Sequence, residues 1–134
     1  MKLTCRSEYA LLALVYLTRC QNRDNYVSVQ TIAAAQKIPP KFLEQILLTL
    51  RLAKYLRSSK GKNGGFRLAK SPDRISLAEI VRLFDGALAP TESVSKYFYD
   101  STPIEKEEKL LAVFKDVRDY IAEKMERTTV ADVA

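Results

Sequence analysis

The chain has no histidine and only two cysteines, Cys5 and Cys20, among its 134 residues. Without imidazole, the commonest general base and a leading metal ligand are both missing. No Gly-rich phosphate loop and no clustered carboxylate pair takes their place, so an enzyme is not expected. Two cysteines make no disulfide framework. Glycine and proline are scarce, at four and five residues, while 47% of the chain is apolar. That is the make-up of one compact domain with at most one extension. No run of about 18 apolar residues and no signal-peptide pattern occurs. The expectation is a cytoplasmic protein with no membrane partner.

What the chain does carry is positive charge, unevenly placed. The formal net charge of +6 divides into 14 Lys/Arg against 4 Asp/Glu over residues 1–74 and 8 against 12 over residues 75–134. One end is suited to a polyanion and the other is not. A membrane surface fits less well, because no basic amphipathic helix with an aromatic face is present. The bias is strongest in residues 37–70, where Lys and Arg outnumber Asp and Glu nine to one.

Three of the four glycines, Gly61, Gly64 and Gly65, fall inside Ser59–Leu68. Two short apolar arms, Tyr55–Ser58 and Phe66–Ala69, flank this segment. An Asn63-Gly64 turn with extra glycines between such arms predicts a β-hairpin, since the turn requires positive φ. Lys60 and Lys62 then sit at its tip, with Arg57 and Arg67 on its arms.

Helical periodicity surrounds the hairpin. Residues from about Cys5 to Arg19 are apolar nearly all round, the pattern of a buried core helix. Its rise separates the two thiols by roughly 22 Å, against a Cα limit of about 7 Å for a disulfide. Unpaired cysteines are usually packed away, so a structural role is expected for both, with redox sensing as the alternative. Gln21 to Asn25 forms a turn cluster. Ser28 is a good N-cap for a short helix to about Gln36, with Ile32, Ala33 and Ala35 facing inward. Ile38-Pro39-Pro40 ends it, and Pro40 opens the next helix, which runs to about Leu52. There Leu43, Ile46, Leu47 and Leu50 form a core stripe, while Lys41, Glu44, Gln45 and Leu48 point outward. Ser76 caps a helix to about Phe84, before Asp85-Gly86. Leu88 to Pro103 reads as an irregular loop. Its Tyr97-Phe98-Tyr99 run can anchor the loop on the core or line an effector pocket, with packing the expected role.

A final helix spans about Ile104 to Arg127. Leu110, Phe114, Val117, Ile121 and Met125 make a heptad-like seam along it, the pattern expected of a dimer contact. The predicted fold is mainly α with a small β-hairpin. Residues 1–86 form a winged helix-turn-helix, 87–103 a regulatory loop and 104–134 a dimerisation helix and tail. Two short helices followed by a basic hairpin place the second helix in the DNA major groove and the wing on the backbone or minor groove.

The order of motifs resembles one bacterial family, the winged helix-turn-helix regulators that include IscR, NsrR and CymR. The likeness rests on Met1-Lys2-Leu3-Thr4, Tyr9-Ala10, Ile32-Ala33, Phe42-Leu43-Glu44-Gln45-Ile46-Leu47 and Leu50-Arg51. It continues through Gly61–Leu68, Ile75–Val81, Asp85-Gly86 and Thr128–Val133. The resemblance implies a homodimeric regulator, most simply a repressor, on a near-palindromic operator. It implies groove contacts from Pro40, Lys41, Glu44 and Gln45. Ser28, Arg51, Lys54, Arg57, Lys60, Lys62, Asn63 and Arg67 are expected on the backbone and wing, with Lys60 entering the minor groove. Gln can pair with adenine, Glu accepts from the cytosine amino group, and Lys contacts guanine or phosphate. The alternative is a winged-helix module for protein or RNA contact. Cluster-binding relatives carry three cysteines in the loop after Asp-Gly, and this loop has none, so no metal or iron–sulfur cofactor is expected. In that respect the chain is closer to the CymR branch. Its signal is then expected from a small-molecule or protein effector.

Overall fold

The computed structural model describes residues 1–20 and 22–134. Gln21, the first residue of the expected turn cluster, lies outside the described residues. The elements run α1 (Cys5–Arg19), α2 (Val29–Gln36), α3 (Pro40–Leu52), β1 (Leu56–Ser59), β2 (Gly65–Leu68), α4 (Leu77–Asp85), α5 (Glu108–Arg127) and α6 (Val130–Val133). Short 3₁₀ turns lie at Pro72–Arg74, Glu92–Val94 and Pro103–Lys106. The last of these takes up the start of the helix expected from Ile104, so α5 begins four residues later.

Helix boundaries follow from capping chemistry. Ser28 accepts the Thr31 backbone N–H at 3.2 Å. Pro40 occupies the first turn of α3, where its missing N–H costs nothing. At α4, Ser76 and Glu79 form a reciprocal capping box. Between α2 and α3 the chain turns through Lys37 at φ 55°, a left-handed conformation that pattern reading would have assigned to glycine.

The main core joins α1, α2, α3 and the hairpin through Leu14, Ile32, Leu43, Ile46, Leu47, Leu50 and Leu56, all buried. Ala35 is exposed rather than inward, because α2 is short and presents only Ile32 and Ala33 to α1 and α3. α1 is less enclosed than its apolar content suggests, with Leu12 38% exposed. Neither cysteine is fully packed away: Cys5 is exposed and Cys20 half-buried, because both sit at the ends of α1. Burial pushes the Cys20 thiol pKa up. Val130 of α6 is fully buried in the main core. Its N–H donates to Ile75 O at 2.9 Å, and Leu77 N–H donates to Thr128 O at 2.9 Å. The tail thus belongs to the core of the DNA-binding half.

A second, smaller core of Ala78, Val81 and Leu88 receives Leu3, Leu11, Ile121 and Met125. Part of the expected dimer seam packs here. Ile121 and Met125 face their own domain because α4 offers them an apolar surface, and Phe114 is half-buried. The apolar residues left outward on α5 are Leu110, Val113, Val117 and Tyr120, at 45, 56, 40 and 73% exposure.

Asp85 ties the end of α4 to the start of α1. Its carboxylate accepts from the Ser7 hydroxyl at 2.6 Å, from the Thr4 N–H at 3.2 Å and from the Thr4 hydroxyl. Partial burial opposes its charge. The hydrogen bonds from Ser7 and Thr4, with Arg6 nearby, outweigh that and hold its pKa below the usual carboxylate range. A depressed folded value means that this contribution is complete above the unfolded value of about 3.9 and is lost as pH falls through the folded one. Asp85→Ala should therefore destabilise by about 1–3 kcal/mol at neutral pH. As pH falls through the depressed folded value the gap to wild type should narrow, which urea unfolding across pH will measure.

Candidate nucleic-acid interface

The outward face of α3 begins at Pro40, and Lys41, Glu44, Gln45 and Leu48 follow along it, all exposed. One helical turn separates Lys41 from Glu44 and Gln45, so the three polar groups form one patch. Behind them, Leu43, Ile46, Leu47 and Leu50 are at most 1% exposed. The polar face is therefore carried on a rigidly packed helix.

The hairpin is fixed to α3 through one arm and to the start of α2 through the other. β1 and β2 pair antiparallel, with Leu56 opposite Leu68 and Ser59 opposite Gly65. Arg51 of α3 donates to Ser58 of β1 at 3.2 Å. Phe66 exchanges two 2.8 Å backbone hydrogen bonds with Val27, just before α2. The wing is thereby stitched to the start of the helix-turn-helix. Gly65 makes this approach possible: at φ +144°, a Cβ there would lie 2.2 Å from the Val27 carbonyl oxygen.

Lys60, Lys62 and Asn63 are exposed at the tip. Lys62 and Asn63 line one side of an open cleft of about 760 Å³, with Ser28 and Thr31 of α2 on the other. Thr31 was not singled out by the sequence. Its hydroxyl lies 2.8 Å from that of Ser28, and the Ser-x-x-Thr spacing at a helix start is the signal that marks it. Lys54 and Arg57 are exposed beside the hairpin base. Arg67 is placed otherwise. Its guanidinium donates to Asp24 O at 2.8 Å and stacks on Tyr26 at 4.8 Å, so it braces the loop before α2 instead of projecting outward.

Behind the wing, Tyr55 donates to Glu79 at 3.1 Å and Lys70 pairs with the same oxygen at 3.3 Å. Burial first, then the Glu79 charge, pushes the Tyr55 pKa up to about 12. Lys70 is the only one of the nine basic residues in 37–70 with an acidic partner among the described residues. Seven of the others, all but Arg67, are exposed with no carboxylate partner among the described residues, and Glu44 is the sole acid of this stretch, so a strong positive field is directed at solvent.

Residues 3–134 match the Rrf2 family, described as an iron-dependent transcriptional regulator. The chain belongs to this family. Among Rrf2 relatives, the HTH-type protein Rv1287 of Mycobacterium tuberculosis is 35% identical over 100% of this chain and 81% of its own length. The HTH-type transcriptional regulator CymR of Bacillus subtilis is 28% identical over 100% and 90%. The solved structure of B. subtilis CymR, the global cysteine regulator, superposes with a TM-score of 0.79 at 26% identity, covering 100% of this chain and 96% of that one. The T. potens IscR structure gives 0.75 at 26% identity, with 99% and 85% covered. The Rrf2 chain described here is a DNA-binding transcriptional regulator with a winged helix-turn-helix, and not an enzyme.

The family description raises the question of iron. Iron–sulfur clusters need thiolates, with imidazole as an occasional substitute. Histidine is absent, the two thiols lie at opposite ends of α1, and the loop over 87–103 holds no cysteine. Among the described residues no three or more His, Cys, Asp or Glu side chains are gathered to hold a metal ion. The donor set of one chain does not fit an iron site.

Proposed function

We propose that the chain acts as a homodimeric, sequence-specific repressor of the cytoplasm that occupies a near-palindromic operator. The observation that carries this is the uncompensated positive surface shared by α3 and the wing. In this reading, α3 enters the major groove with Lys41, Glu44 and Gln45 at base edges and Pro40 at the groove wall. Ser28, Arg51, Lys54 and Arg57 hold phosphates, which position without specifying. Lys62 and Asn63 face the α2 start across the cleft and grip the backbone there, with Lys60 in the minor groove.

Glu44→Ala and Gln45→Ala should each erase about 1–3 kcal/mol of discrimination between operator variants. Lys62→Ala should instead weaken all sequences alike and reduce the log–log salt slope by about 0.9. Fluorescence anisotropy with genomic upstream fragments and random duplex at several salt concentrations separates the two effects. An unchanged ranking of operators in the Glu44 and Gln45 variants would remove the base-reading assignment. A flat salt dependence of the wild type would favour a protein-interaction module.

The protein needs no iron–sulfur cluster for this. Anaerobic purification followed by iron and sulfide analysis should find neither at stoichiometric level, and DNA affinity should survive chelation. Near-stoichiometric iron with visible charge-transfer absorption would overturn that reading.

A further inference from the structure

An open cavity of about 310 Å³ lies where α4, the loop after it and α5 meet, away from α3 and the wing. We infer that it is a binding site for a small organic monocarboxylate with a flat or apolar body. Leu88, Ala122, Tyr97 and Phe98 give the cavity an apolar and aromatic part, and charged side chains of α4, the loop and α5 line the rest. Packing of these two aromatics on the core was the expected role, yet Tyr97 is 64% and Phe98 47% exposed. They are held open because the loop is braced from within. The Phe98 N–H donates to the buried Ser95 hydroxyl at 2.9 Å, and Arg118 donates to Val94 O at 3.0 Å. The cavity is at the small end of the usual size range for a small-molecule site, and it joins a short apolar and aromatic stretch to a rim of charged side chains.

The charges select the ligand. Three of the four cations lining the cavity are already neutralised: Arg82 by Glu126 at 2.8 Å, Arg118 by Asp119 at 2.7 Å and Arg127 by Glu123 at 3.2 Å. Arg82 also stacks on Tyr97 at 5.0 Å. Lys96 has no acidic partner among the described residues and has only the Tyr97 ring, 5.6 Å from its Nζ. One uncommitted ammonium beside an exposed aromatic wall suits one negative charge on an apolar body. Ala122 lies about 140° around the helix from Val117, while Glu123 and Arg127 at the cavity rim neighbour Tyr120 of the outward stripe on α5. The cavity walls come from the helix before the loop and the helix after it, so an occupant bears on how the DNA-binding half meets α5. That regulatory consequence rests on the function proposed above, whereas the site itself does not.

The test uses the full chain without DNA, so its failure leaves the reading of α3 and the wing untouched. Benzoate is titrated by calorimetry and by two-dimensional amide NMR, with benzamide as the neutral isostere. Benzoate should bind saturably at about 1 mM, as a fragment of its size can, with shifts centred on residues 95–98 and 118–122. Benzamide should bind at least about tenfold more weakly, and Lys96→Met, an exposed change, should weaken benzoate by a similar factor. Absence of saturable shifts at those residues, equal affinity for benzamide, or full benzoate affinity in the Lys96 variant would each overturn the proposal.

Discussion

Replacing Gly65 by alanine is expected to destabilise the protein by about 2–5 kcal/mol, adding the cost of positive φ to that of forced overpacking. The added methyl would meet Val27 O at 2.2 Å, Val27 C at 2.4 Å and Ser28 N at 2.8 Å. All three are backbone atoms that cannot rotate away. Relief requires parting the paired Val27 and Phe66 backbones, which frees the wing from the start of α2. Gly61 provides the control, because its φ is +98° but nothing lies within 4 Å of a Cβ built there. Gly61→Ala should lose only the conformational cost of about 1–2 kcal/mol. Urea unfolding of the two variants decides the matter, and equal losses would show that the close approach carries no energetic weight. Loss of DNA affinity should follow the same order, since Lys62 and Asn63 are positioned by this contact.

A second large effect is expected on assembly. Leu110, Val113, Val117 and Tyr120 form an apolar stripe on α5 that stands 40–73% exposed, the kind of surface that a two-fold contact between copies would cover. Val113→Asp combined with Val117→Asp should give a folded monomer, because both side chains are already exposed. Operator affinity should then fall by about 10²–10⁴, the gain that linking two half-site contacts confers. Sedimentation and anisotropy measure both consequences. Dimers that persist in the double variant with undiminished binding would place the interface elsewhere. Ile121→Asp is the informative contrast. It puts an unpaired charge against Ala78, Val81 and Leu88 and should unfold the domain rather than merely dissociate it.

Most of the fold was legible because most of its signals are local. Caps at Ser28 and Ser76 and the Pro40 start act within four residues of themselves, and the observed boundaries fall on them. The hairpin forms as expected, but its positive φ lies at Gly61 and Gly65 and not at Asn63-Gly64, because the turn closes from Gly64 N–H to Gly61 O. The polar face of α3 was legible for the same reason, since an amphipathic helix displays its outward residues once its core stripe is known. Arg67 shows where this stops. Its charge and position on the hairpin are those of a DNA contact, but Asp24 O and Tyr26, some forty residues earlier, take up its guanidinium. The seam on α5 was ambiguous for another reason. Two apolar stripes overlap on that helix, and only the presence of α4 settles which of them turns inward.

The sequence by itself therefore determined the order of α1 to α5 around the hairpin, the capped helix starts, the basic character of one half and the lack of thiolate ligands in the loop. Each is a property of composition or of neighbours along the chain. Tertiary structure alone decided that Val27 pairs with Phe66, that Val130 returns to the main core, that Asp85 joins α4 to α1, and that Tyr97 and Phe98 stand open over a cavity. These depend on segments far apart in sequence meeting in space. Shape and hydrogen-bond complementarity select such meetings, and no periodicity along the chain records them.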